Sequence, residues 1–120
     1  MKSFLTVGIG GFLGAIGRYS LSLILPNSGG FPFTTLCINL VGCFCLAWLF
    51  TTFTKRTPVV LGIGTGFLGA FTTFSTFSLE LLLLLQNSEY LQAVLYIVVS
   101  VFGGLVFAWL GIRLAKGRIL

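Results

Sequence analysis

Four long apolar runs, parted only by short breaks, leave this chain few ways to fold. They cover about 4–25, 33–53, 59–85 and 90–114 of 120 residues, and the whole sequence is 57% hydrophobic and 8% charged. A soluble domain of this size has no interior large enough to hide that much apolar surface. Runs of about twenty apolar residues instead match the thickness of a bilayer. The expected fold is an all-α membrane protein of four transmembrane helices in a single membrane domain, with no clear tandem repeat and no space for a soluble catalytic unit.

The few charges are placed as topology signals. Lys2, Lys55, Arg56, Arg113, Lys116 and Arg118 flank the apolar runs and do not form a patch interleaved with exposed aromatics, so the net charge of +5 does not point to nucleic acid. With four spans, these six residues fall on one side, which predicts a multi-pass protein of the inner (plasma) membrane with both termini in the cytoplasm. Lys2 and the run after it superficially resemble a signal peptide. The run is long, contains Arg18 and lacks a clear small-residue cleavage site, so it reads as a retained first helix. The chain has no His, and Cys37, Cys43 and Cys45 sit in one apolar run, where they read as small buried hydrophobes.

Polar residues inside the runs are the candidates for function, because at membrane depth they must face protein or a water-filled path. The third run carries Gly69-Ala70-Phe71-Thr72-Thr73-Phe74-Ser75-Thr76-Phe77-Ser78, in which five of the seven residues from Thr72 to Ser78 bear a hydroxyl. Hydroxyl and β-branched residues weaken a helix and can satisfy the backbone groups that a break releases. The expectation is a discontinuous third helix, unwound near Gly69 to Thr73. Upstream, Gly62, Gly64, Gly66 and Gly69 provide a close-packing surface, as do Gly10 and Gly14 in the first run.

Asn39 lies inside the second run with Thr35 one turn before it. It serves equally well as glue between helices or as an uncharged donor to an anion. Phe74 and Phe77 share a helical face; they either pack in the ordinary way or offer positive ring edges to a small anion. Tyr96, Ser100 and Gly104 recur at four-residue intervals in the fourth run. Glu80 and Arg18 are costly charges within apolar runs, open to a structural or a functional role. A path of amide, ring edges and hydroxyls binds an anion weakly, as conduction requires.

Three motifs together carry a family resemblance: Gly-Gly-Phe-Leu-Gly-Ala-Ile-Gly-Arg-Tyr (residues 10–19), Thr35 to Asn39 with Gly42 following, and Gly-x-x-Thr-Thr-Phe-Ser-Thr-Phe (residues 69–77). The sequence resembles the CrcB/Fluc fluoride channels across all four runs. The resemblance implies an antiparallel dimer with two narrow pores that exports fluoride passively and relieves its toxicity. It implies pore roles for Phe74, Phe77 and Asn39, with Thr35, Tyr96 and Ser100 extending a polar track. It also implies a sodium ion at the dimer centre on backbone carbonyls at Gly69 and Thr72, and it matches Arg18 and Glu80 to a first-helix arginine and a third-helix acid. Gly104 departs from relatives that carry a further hydroxyl there. The strong Lys/Arg asymmetry also departs from chains that insert both ways as a homodimer, which raises an antiparallel heterodimer with a paralogue as an alternative to a homodimer.

Two other functions fit less of the chain. A small four-helix proton-coupled multidrug exporter needs a buried acid, preferably in the first run, which has none. A scaffold explains the glycines but not the clustered hydroxyls and phenylalanines. With no His, activated nucleophile or metal set, the chain is not expected to be an enzyme.

Overall fold

The computed structural model describes residues 1–25 and 30–119, with the side chains of 118 and 119 outside the description. The chain folds as α1 (Lys2–Ile24), α2 (Phe33–Thr52), α3 (Pro58–Leu61), a π-helical stretch (Gly62–Leu68), α4 (Gly69–Phe71), α5 (Ser75–Gln86) and α6 (Tyr90–Ile119). There is no strand among the described residues. Four spans, Lys2–Ile24, Phe33–Thr52, Pro58–Gln86 and Tyr90–Gly117, are long and apolar enough to cross a membrane. The segment Pro26-Asn27-Ser28-Gly29-Gly30-Phe31-Pro32, a dense turn signal in the sequence, falls partly outside the described residues, at 26–29.

The spans associate in two pairs, α1 with the π-helical stretch and α2 with α6. Glycine makes the first pairing close: a Cβ at Gly10 would collide with the Gly62 carbonyl, and one at Gly14 with the Phe67 carbonyl. Without side chains the two backbones meet directly, the contact that small-residue spacing allows in membranes. Gly64 faces the other way, towards Phe50 and Leu49 of α2, so the glycines of this stretch serve two neighbours. The π-helical geometry, in which the Gly69 N–H donates back to Gly64, is a wider turn that often marks functional sites.

Local chemistry fixes the connections. The Arg56 guanidinium donates to the carbonyls of Phe53 (2.6 Å) and Thr54 (3.3 Å) and lies 4.2 Å from the Phe50 ring centroid. It thus closes the C-terminus of α2 with a cation, as the helix dipole favours. Thr57 then caps α3, accepting the Val60 N–H at 3.2 Å, with Pro58 in the first turn. At the end of α5, Ser88 takes φ 59°, while Ser88 and Glu89 donate to Leu85 and Leu84. That is a Schellman ending with serine where glycine is usual.

The tightest core lies between α2, α5 and α6, where Leu36, Leu84, Ala93 and Tyr96 are buried with Phe31, Leu40, Phe77 and Leu81 around them. Elsewhere the single chain leaves large apolar side chains uncovered on every span. The cysteines correct one expectation. They are free thiols, Cys37 is exposed, and Cys43 and Cys45 are only half-buried, because the single chain covers only part of α2.

Candidate functional site

The site begins where the third span stops being helical. Phe71 is the last residue of α4, Thr72 turns to φ −79° and ψ 155°, and helix resumes at Ser75. Gly69, expected within the unwound part, is helical; the non-helical residues are 72–74. The reason lies in the threonines. The Thr72 N–H and hydroxyl both donate to the Leu68 carbonyl, at 3.0 Å each, so the helix persists until that residue. The Thr73 hydroxyl then accepts the Thr76 N–H at 3.1 Å and starts the next helix. Ser75 and Thr76 hydroxyls lie 3.1 and 3.3 Å from Thr73 Oγ1, closing a small cluster.

Three side chains from other helices, or the space they leave, hold this interruption in place. Asn39 accepts the Thr73 N–H at 2.9 Å and donates its amide to the Thr73 carbonyl at 3.0 Å. Arg18 of α1 donates Nε–H to the Ala70 carbonyl at 3.2 Å. Gly42 leaves the room into which the Thr72 methyl fits; a Cβ there would overlap it.

These bonds redirect the donors that would close a continuous helix. The N–H groups of Thr73 and Thr76 would ordinarily bond the carbonyls of Gly69 and Thr72; they go instead to Asn39 and to the Thr73 side chain. Gly69 O keeps only a 3.4 Å contact from the Thr72 hydroxyl. Two neutral carbonyl oxygens are thereby released at a helix interruption, a donor set suited to a small hard cation.

Beside the interruption lies a cavity of about 320 Å³ whose wall includes Asn39, Cys43, Thr72, Phe74, Phe77 and Ser100. Phe74 and Phe77 stack with centroids 5.7 Å apart, and Phe77 leans on Tyr96 at 4.7 Å. Tyr96 is fully buried and does not line the cavity. Its hydroxyl is buried beside Thr35 and Glu80, and that of Ser100, one turn away, is buried without a hydrogen-bond partner among the described residues. Further along, Thr35 donates to Glu80 at 2.5 Å. Phe74, by contrast, is 78% exposed, so a single chain supplies only part of the wall around it.

Of the residues singled out from sequence, Asn39, Thr72, Phe74, Phe77 and Ser100 meet at one cavity. Thr35, Glu80 and Tyr96 form an adjoining cluster. Arg18 of α1 binds Ala70, just before the interruption, and Gly69 is not among the residues that line the cavity. Thr73 was read only as part of the hydroxyl run, although it is the residue to which Asn39 is bonded. Its partner was legible only as an interior amide in search of two hydrogen bonds.

The family model described as "CrcB-like protein, Camphor Resistance (CrcB)" matches residues 5–112. The chain is 49% identical over 117 residues to the fluoride-specific ion channel FluC 1 of Bacillus cereus (strain ATCC 10987 / NRS 248), a match covering 92% of this chain and 85% of that one. It is 46% identical over 119 residues to the fluoride-specific ion channel FluC of Oceanobacillus iheyensis (strain DSM 14371 / CIP 107618 / JCM 11309 / KCTC 3954 / HTE831), covering 96% and 92%. With FluC 2 of Listeria innocua serovar 6a (strain ATCC BAA-680 / CLIP 11262) the identity is 47% over 117 residues, covering 94% and 90%. A match this long, over spans that hold the interruption and its cavity, makes the chain a member of the CrcB family.

Proposed function

We propose that this chain is a subunit of a fluoride-specific ion channel that releases fluoride passively from the cytoplasm. Its relatives bear that name, and the observation that carries the reading to this chain is the cavity at the helix interruption. Its wall combines one amide, two phenylalanine rings and hydroxyl groups, with no fixed charge among its lining residues. Such donors replace part of the hydration shell of a small anion without trapping it.

The third span acts as a broken helix in an antiparallel dimer. The exposed Phe74 and the uncovered hydroxyl of Ser75 support a protein neighbour there, because polar groups at membrane depth are poorly matched to lipid. Two copies related by inversion would bring two such interruptions together, and a sodium ion between them would take the carbonyls of Gly69 and Thr72. The ion's role is structural: it neutralises backbone dipoles that face one another. Asn39, Phe74, Phe77 and Ser100 contact the passing anion, and Thr35 and Tyr96 extend the track. The one-sided basic residues favour both termini in the cytoplasm for this chain and an inverted paralogue as its natural mate.

Fluoride and chloride release from liposomes containing the purified chain alone tests the reading. Fast loss of fluoride with chloride retained is the expected result. Retention of both ions, persisting after co-reconstitution with an inverted paralogue, would refute it.

A further inference from the structure

The aromatic contacts of the site do not stop at Tyr96. Phe31 meets the buried Tyr96 ring at 5.5 Å and 72°, edge to face, and Phe33 lies 4.8 Å from Phe31. With Phe77 and Phe74 this makes an unbroken series of five rings, from the segment before α2 to the interruption in the third span. Tyr96 is clasped by Phe77 on the cavity side and Phe31 on the loop side. Its hydroxyl neighbours the hydrogen-bonded pair Thr35 and Glu80.

Phe31 is fixed by its backbone. The Phe33 N–H donates to the Phe31 carbonyl at 2.9 Å across Pro32, whose φ −80° and ψ 71° are those of an inverse γ-turn. Pro32 is buried, and its ring restricts the residue before it. The backbone is therefore rigid, and the side chain is the part that can move. Phe31 also borders an open apolar groove of about 560 Å³, walled by Phe31 and Phe33 with Leu21, Ile24 and Cys37. The ring thus touches both the buried Tyr96 and a space large enough to receive it.

We propose that Phe31 is the gate residue at the loop end of the track: its ring closes the Tyr96–Thr35–Glu80 cluster, and rotation into the groove opens it. This rests on the channel reading for its ion, but the closure itself is a property of the fold. An apolar ring over a hydroxyl cluster is a hydrophobic constriction, a recognised form of gate.

Labelling of a cysteine placed in the track decides the matter. In a background with Cys37, Cys43 and Cys45 replaced by alanine and carrying Thr35→Cys, a water-soluble cationic methanethiosulfonate is applied to the purified protein. Phe31→Ala should speed labelling roughly tenfold, the factor that loss of one aromatic pair allows, and Phe31→Trp should not speed it. Equal rates for Phe31 and Phe31→Ala, or faster labelling with Phe31→Trp, overturn the gate. Ala115→Cys, buried at the other end of α6, serves as the control. If Phe31→Ala speeds labelling there too, the change is general loosening and the proposal fails. Where wild-type liposomes release fluoride, Phe31→Ala should raise that release with chloride retained, and an unchanged rate there also overturns the gate. Wild-type liposomes that keep their fluoride even after co-reconstitution with an inverted paralogue would refute the channel reading, while the labelling comparison still decides the gate.

Discussion

Asn39 grips Thr73 by both backbone groups, taking its N–H at 2.9 Å and giving an amide hydrogen to its carbonyl at 3.0 Å. A side chain here does what a neighbouring strand does elsewhere: it pairs a stretch of backbone that has left its helix. Asparagine is suited to this because one amide carries both a donor and an acceptor. Asn39→Asp keeps the acceptor, loses the donor and brings a charge. The variant should unfold about 1–3 kcal/mol more easily and pass no fluoride, since a carboxylate repels the anion. Thermal unfolding in detergent beside liposome efflux checks both.

Phe74 and Phe77 should separate permeation from packing. Replacing either by Ile keeps most of the apolar volume and removes the positive ring edge, so fluoride flux should fall roughly tenfold or more in each. Stability should differ between them. Phe77 leans on Tyr96, and its loss should cost about 1 kcal/mol; Phe74 is exposed in the single chain, and its loss should cost less than about 0.5 kcal/mol. Gel filtration should show both variants with the wild-type assembly. Undiminished flux in both would count heavily against an aromatic pore.

Gly42 is a seat for Thr72. A methyl there overlaps the Thr72 side chain, so Gly42→Ala should cost about 1–3 kcal/mol by overpacking. Gly42→Ala combined with Thr72→Ser removes the opposing methyl and should recover most of that loss. A double-mutant cycle in thermal unfolding measures it; additive losses would show that the two residues do not share this space.

Sodium should stabilise the assembled protein. Because a bound cation favours the folded state by mass action, the melting temperature should rise with sodium chloride and not with an organic-cation chloride of equal ionic strength. Fluoride release should be slower when sodium is replaced throughout. Identical melting curves in the two salts would remove the ion from the account.

The proposed orientation rests on charge and can be checked directly. Single cysteines placed in the loops of this chain in its native host should label from one side only. Equal labelling from both sides would mean that the six basic end residues do not fix its direction.

The spans and the polar stretch were legible because both are local properties of the sequence: length, hydropathy and a dense run of hydroxyls. The unwound stretch was legible at Thr72 and Thr73 but begins three residues later than expected, since Gly69 draws attention as a helix breaker while the Thr72 hydroxyl and N–H, both bound to Leu68, carry the helix further. The grip on Thr73 joins residues 34 apart, and spacing along a chain does not reveal which of five neighbouring hydroxyl residues an amide will find. Cys37 could not be read as exposed, because an apolar run looks the same whether lipid or protein covers it. Phe31 lies inside the turn signal from Pro26 to Pro32, where the sequence suggests only a connection.

The bond between Asn39 and Thr73 also agrees with the order in which the chain is made. The second span is made first, so its amide is already in the membrane when the third span arrives with two backbone groups that lipid cannot satisfy. A chain rearranged so that the third span emerged before the second would enter the bilayer with its interruption unattended. For this protein, the sequence of manufacture and the sequence of dependence run in the same direction.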